Sequence, residues 1–266
     1  MDFVKIYGTY IKMFLRSRAE YRMSFFMSLF AQWYCTLIGF AGIWVMAQSF
    51  GTIGGWNFNE MVVLYGLGWG SGSVAGLFLH SSVMQVEFII TRGELDSYLI
   101  RPMGIIRQLS CRRLADQLLG NIVIIVMLMA PALISLAPGL TAFNWLFLVL
   151  GTIGGTLIHA AFMIFFGSIS FWMLRSRMLT EILYYDLRNF TNYPLNIFPN
   201  FIKFVLTFVV PLGLSCYYPS LIILNKAQTG FDFWLGCLSP VLGLVLCALA
   251  VSIFHRGLRR YAGTGS

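Results

Sequence analysis

The residues with the most chemistry in this 266-residue chain lie together, between 83 and 113. Glu87 is followed by Arg92, Gly93, Glu94, Leu95, Asp96, Ser97, Tyr98, Leu99, Ile100, Arg101 and Pro102. Both signs of charge alternate there with Val83, Val86, Phe88, Ile89 and Ile90, and Pro102 stops any helix near Arg101. A short, half-exposed helix of mixed charge suits docking to a partner protein, through charge pairing around apolar anchors. A plain solvated loop has no use for so many large apolar side chains, although an interfacial helix without a partner fits the same pattern. A second stretch, 175–200, combines Arg175, Arg177, Glu181, Asp186 and Arg188 with Leu179, Ile182, Leu183 and Leu187. Pro194 and Pro199 give it an extended exit.

Covalent catalysis has no comparable support. There is no GxxxxGK[ST] phosphate loop, no HExxH, no GxSxG and no paired Cys/His set. His80, His159 and His255 are scattered; His159 falls in an apolar run, as an interhelical hydrogen-bonding residue or a functional one. Cys35, Cys111, Cys216, Cys237 and Cys247 lack CxxC spacing and read as small packing residues, with a Cys216–Cys237 bridge as the alternative.

The elements that must position these residues are set by composition. Hydrophobic residues make up 58% of the chain and charged ones 11%, where a soluble domain carries roughly 25% charged. Mean hydropathy is +0.78. A hydrocarbon core about 30 Å thick takes roughly 20 apolar residues per helix. Six stretches meet that: 24–47, 60–82, 115–137, 144–173, 201–223 and 233–254. The expected fold is therefore an all-α membrane protein of six transmembrane helices in a single domain, 1–266. Lys203 and Pro211 weaken the fifth stretch and admit a kinked or partly re-entrant segment.

Of the 18 Lys and Arg, only Lys226 falls in the alternate loops 48–59, 138–143 and 224–232. By the positive-inside rule the other loops, and both termini, are cytoplasmic. The net charge of +8 belongs to this asymmetry, and no nucleic-acid motif accompanies it. Residues 1–22 lack the apolar core of a signal peptide. Phe3, Ile6, Tyr7, Tyr10 and Phe14 instead make a helical stripe, as in an amphipathic helix on the inner membrane surface; a solvated basic leader is the alternative.

The second apolar stretch carries Gly66, Gly68, Gly70, Gly72 and Gly76 in overlapping small-xxx-small registers. These let helix backbones approach closely, within the subunit or across a dimer, or form a surface that slides.

Gly93 to Pro102 resembles the G-x-L-D-x-x-L-x-[RK]-P loop of the membrane permeases of type-2 ABC transporters. Asn192 to Pro199, Tyr217-Tyr218-Pro219 and the tail Gly257 to Ser266 extend the resemblance along the chain. It is similar to the bacterial six-span subgroup encoded apart from its ATPase. That resemblance implies a coupling helix between the second and third spans. Glu87, Arg92, Gly93, Glu94, Leu95, Asp96, Tyr98, Leu99, Arg101 and Pro102 would form the ATPase-coupling site. It also implies two ABC ATPase subunits carrying ATP and magnesium, none of it bound by this chain, and a second permease, identical or related. The implied setting is the bacterial inner membrane and the implied mechanism alternating access. Export is the family default; the aromatic share of 16% suits an amphipathic or lipophilic small-molecule cargo, and aromatics serving as lipid-facing and interfacial residues are the alternative account of it. A secondary transporter or channel is the alternative, but Glu60, Asp116 and Asp232 sit at span ends rather than mid-membrane.

Overall fold

The structure is a computed structural model that describes residues 22–81, 83–112, 115, 117–173 and 176–261. The expected N-terminal interfacial helix and the last five residues of the tail lie outside the described residues. Among the described residues, five helices are long and apolar enough to cross a membrane. They are α1 (Arg22–Phe50), α2 (Phe58–Leu79), α6 (Gln117–Leu136), α7 (Ala142–Ile169) and α11 (Gly230–Arg260). Between α2 and α6 lie three short helices: α3 (Val86–Thr91), α4 (Leu95–Leu99) and α5 (Ile105–Arg112). After α7 comes a broken helical stretch, α8 (177–189), whose middle turn is π-helical. A bent pair follows, α9 (Asn200–Val209) and α10 (Leu212–Ile223). No strand occurs among the described residues; a single bridge, Ile53 to Trp56, closes the turn between α1 and α2.

The bundle has two distinct ends. The basic end carries α3 to α5, the start of α6, the end of α7 and the Arg256–Arg260 turn of α11. The opposite, distal end carries the turns 51–57, 137–141 and 224–229. Its start signals are legible. Glu60 accepts from the Asn57 amide at the head of α2, Asn144 caps Thr141 before α7, and the Thr229 hydroxyl accepts from the Asp232 amide. Lys226 then ties the turns together. Its Nζ lies 2.7 Å from Glu60 Oε2, donates to the Gly55 carbonyl at 2.6 Å, and sits 5.3 Å above the Trp56 ring.

Helix contacts within the bundle use small residues, since lipid offers no hydrophobic gain for association. A Cβ on Gly154 would lie 2.9 Å from Pro240, and one on Gly243 2.9 Å from the Gly154 carbonyl, so α7 and α11 touch backbone to backbone. A buried polar ladder joins α1, α6 and α2: Thr36 bonds Asn121, and Asn121 donates to Ser73 Oγ at 2.6 Å. On the outside, Trp234, Leu238, Val241, Val245 and Leu249 form an exposed stripe along α11. That spacing marks a face turned away from the bundle.

The fifth passage departs from the 201–223 span expected from sequence. Asn196 donates to the Gly54 carbonyl at 2.7 Å, and Lys203 shares a cavity with Gly54, Trp56 and Lys226. The start of α9 is therefore at the distal end. So is the end of α10, where Asn144 donates to the Ile222 carbonyl and Lys226 follows. Between them the chain bends by 72° at Pro211, and a Cβ on Gly155, midway along α7, would meet the Ser215 carbonyl at 2.6 Å. The pair is a hairpin that enters the bundle from the distal end to mid-depth and returns. The end-to-end run is made instead by 177–199. At one end Ser176 bonds Glu87 of α3, and at the other Asn196 bonds Gly54. Its breaks have local causes: the π turn, then Pro194 and Pro199, whose ψ angles of 132° and 151° are extended. No single apolar window covers it, so hydropathy passed it over. Lys203 consequently moves from the basic end to the distal one, and 177–199 is a half-buried passage running end to end rather than a loop at the basic end.

Candidate functional site

The segment 83–112 folds as a compact knob on the basic end. Val83, Val86, Leu95 and Leu109 are fully buried, with Ile89, Ile90, Tyr98 and Ile105 nearly so. They form one apolar cluster with Ala161, Met163, Ile164 and Phe166 of α7 and Ala250 and Phe254 of α11. The expected single helix is in fact two. Gly93 adopts φ +68°, a left-handed conformation that ends α3, and its amide and that of Glu94 return to the Ile90 and Ile89 carbonyls at 3.0 Å each. The break turns α4, so that Leu95 and Tyr98 point inward while Asp96, Leu99 and Ile100 point out.

Two contacts fix the knob to the spans. Gly167 of α7 has no room for a side chain, because a Cβ there would run into the Val83 carbonyl and come within 3.0 Å of Val83 Cγ1. Glu87 Oε2 accepts from Ser176 Oγ at 3.1 Å, and Ser176 in turn bonds Ser170 at 2.8 Å. Gln108 of α5 clamps the far side, donating to the Tyr98 and Met103 carbonyls at 3.0 and 2.6 Å. The outer face then offers Arg92, Asp96, Leu99, Ile100, Arg101 and Pro102, all exposed, with Glu87, Gly93 and Glu94 half-buried. Ile100 is 85% exposed, an apolar tip between two charges. Arg101 leans over the Tyr98 ring at 5.8 Å. Of the ten residues singled out from sequence, Leu95 and Tyr98 face the core and act as anchors. Glu87 turns to Ser176 at the spans, and the other seven lie on the outward side.

The five glycines of α2 divide by partner. Side chains at Gly66 and Gly70 would meet Met129 and Ile125 of α6, and at Gly76 Leu118. Gly68 and Gly72 face the interior of the broken passage. A Cβ on Gly68 would touch Cys216 at 3.5 Å, and one on Gly72 would collide with the Arg188 guanidinium. The glycine face is thus a packing surface inside the subunit and also a slot for an arginine.

Arg188 is the residue that sequence reasoning placed wrongly. Counted among the basic loop charges, it is buried at the depth of Gly68, halfway along α2. Its Cζ lies 4.3 Å above the Trp69 ring, and Trp69 Nε1 donates to Asn192 Oδ1 at 2.6 Å on the same passage. Nearby, His159 Nδ1 and the Tyr184 hydroxyl are 3.1 Å apart in a fully buried contact. His159 therefore takes the interhelical hydrogen-bonding role. The signal available was an arginine flanked by Leu187 and Phe190 in a stretch with aromatic pairs and no charge run.

Cys216 and Cys237 are both free thiols, so the alternative of a bridge between them falls. Cys216 packs against Gly68 instead, its sulfur 3.8 Å from the Thr191 carbonyl. Among the described residues no group of three or more His, Cys, Asp or Glu could hold a metal ion.

A family model described as ABC-2 family transporter protein matches residues 33–265. No curated protein and no solved structure matches the chain.

Proposed function

The chain belongs to the ABC-2 transporter family, as a membrane permease that works with an ABC ATPase, and from that premise we propose how it operates. It pairs with a second permease, and two ATPase subunits dock on the basic end, which faces the cytoplasm with both termini. The setting is the inner membrane of a bacterium. ATP and magnesium stay on the ATPases. The cargo is an amphipathic or lipophilic small molecule, exported by alternating access between the paired permeases.

The observation that carries this reading is the build of the knob. Its outward side offers charges of both signs around an exposed Ile100, and its inward side is continuous with the cores of α7 and α11. A push on the outer face is thus delivered through close-packed side chains, which deform little. The Val83–Gly167 contact passes it directly to α7. When ATP closes the ATPases, the knobs of the two permeases move with them and tilt the spans.

Copurification from detergent of a tagged chain with an ABC ATPase tests the assembly. Replacing Glu94 and Asp96 by lysines tests the coupling face: ATPase activity and assembly should persist while transport is lost. Unchanged transport in that double variant counts decisively against the face.

A further inference from the structure

Arg188 is a cation at a depth where lipid surrounds the bundle, and it has no counter-ion among the described residues. It is 93% buried, given a relative exposure of 7%. Its terminal nitrogen reaches the Gly68 and Trp69 carbonyls at the long distances of 3.5 and 3.4 Å, and the Tyr184 hydroxyl is a neutral hydrogen-bonding neighbour of the guanidinium. Its Nε is buried with no hydrogen-bond partner at all. No carboxylate pairs with it among the described residues; Asp186, two positions earlier, lies on the exposed side of the same segment. His159 Nε2, behind the Tyr184 hydroxyl, is a second buried nitrogen without a partner. Charged groups inside a membrane protein are rare and mostly paired, and those that are not mark substrate or ion paths.

The surroundings suit an anion. Guanidinium presents a planar fork of donors that matches carboxylate or phosphate oxygens. Here the fork lies in a slot opened by Gly68 and Gly72, with the Trp69 ring on one face. Long carbonyl bonds, a neutral hydroxyl and a ring contact hold it there, and an oxyanion would supply the opposite charge that none of them carries. The slot lies on the broken passage, where backbone irregularity is tolerated only against protein or a polar cavity, never against lipid.

We propose that Arg188 reads the acidic group of an amphiphile, an oxyanion carried on an apolar tail, at mid-depth in the permease. This narrows the cargo class and rests on the permease reading above. A structural arginine, present only to brace α2 against the broken passage, would show no preference for acidic over neutral tails.

The test uses the full chain in nanodiscs of neutral phosphatidylcholine, with tryptophan quenching by 11-bromoundecanoate and by 11-bromoundecanol as probes. One charge-assisted hydrogen bond corresponds to a preference of about tenfold or more for the acid. Arg188→Gln should abolish that preference, and Arg188→Lys should keep part of it. Equal binding of acid and alcohol by the wild type, or an acid preference unchanged in R188Q, overturns the proposal. If R188Q fails to fold, the wild-type acid-to-alcohol ratio and R188K still decide. Adding phosphatidylglycerol to the discs identifies the source. Competition assigns the site to a resident lipid headgroup and its absence to a moving amphiphile, and both retain the charge requirement. No ATPase is present, so failure here leaves the permease reading standing. Failure to copurify an ATPase, in turn, does not touch this result.

Discussion

Gly167→Ala puts one methyl group between α7 and the coupling knob, and its consequence can be worked out from the contact. The added Cβ meets the Val83 carbonyl oxygen, the Val83 carbonyl carbon at 3.1 Å and Cγ1 at 3.0 Å. Two of these atoms are backbone, and Val83 itself is fully buried, so no flexible side chain can swing clear. Overpacking of this kind costs about 1–3 kcal/mol, while Gly to Ala inside a helix returns about 1 kcal/mol in propensity. The net destabilisation is therefore about 0–2 kcal/mol, small enough for the variant to fold and be purified. The larger effect is geometric: the turn before α3 must back away from α7. Gly70→Ala is the control, because its Cβ meets only Ile125 Cγ2 at an ordinary 3.5 Å. Thermal unfolding in detergent should rank G70A at or above wild type and G167A at or below it. In the assembled transporter, G167A should keep ATP hydrolysis and lose most transport, while G70A keeps both. A G167A protein with full stability and full coupling would refute the claim that motion passes through this contact.

Three further outcomes follow from the packing. Lys226→Met breaks a half-buried ion pair whose side chains are 26% and 11% exposed, between the surface and the buried regimes, and should lower stability by about 1–2 kcal/mol. A double-mutant cycle with Glu60→Gln should show coupling between the two, and additive losses would deny the pairing. Asn121→Leu removes the bridge between Thr36 and Ser73, but both hydroxyls keep their bonds to the Gln32 and Trp69 carbonyls. Its cost should therefore stay near the membrane average of about 0.6 kcal/mol, and a loss several times larger would show the ladder to be more than pairwise. Finally, single cysteines at Lys203 and Lys226 should react with a membrane-impermeant maleimide from the same side, and one at Arg101 only from the other. Labelling of the 203 position together with 101 would restore the simple fifth span.

What could be read from sequence divides along a physical line. Five spans were visible because each buries or exposes a long apolar run, and hydropathy measures that directly. The coupling segment was visible because Pro102 and the alternation of Phe88, Ile89 and Ile90 with charges bound it on both sides. The break at Gly93 was not visible, since glycine in a short amphipathic run is compatible with either continuation or a left-handed stop. The broken passage was hidden for a deeper reason. A segment with one face against protein need not be apolar on that face, so 177–199 could carry Arg188, Asn192 and Tyr184 at membrane depth and resemble a loop.

The same reasoning ties the charge count to the mechanism. Lys and Arg in loops report which side faces the cytoplasm, but that rule holds only for charges that stay in water. Lys203, at the distal end beside Lys226, is an exception to it, and Arg188 lies outside its scope altogether. An arginine that has left the aqueous side must be stabilised by something the bundle provides, and here the provision is incomplete: two long carbonyl bonds, one neutral hydroxyl, one ring and an unpartnered Nε. The glycines at 68 and 72 are what admit it, so the close-approach face of α2 serves two ends. On one side it packs α6; on the other it holds a cation that the rest of the subunit does not neutralise. A knob that moves α7 at the basic end acts on the same helix that carries His159 beside Tyr184. The expected readout is that G167A, which loosens the knob, leaves acid-selective quenching intact while transport falls, separating recognition at Arg188 from delivery of the ATPase stroke. Loss of both together would mean that the slot and the knob are one element.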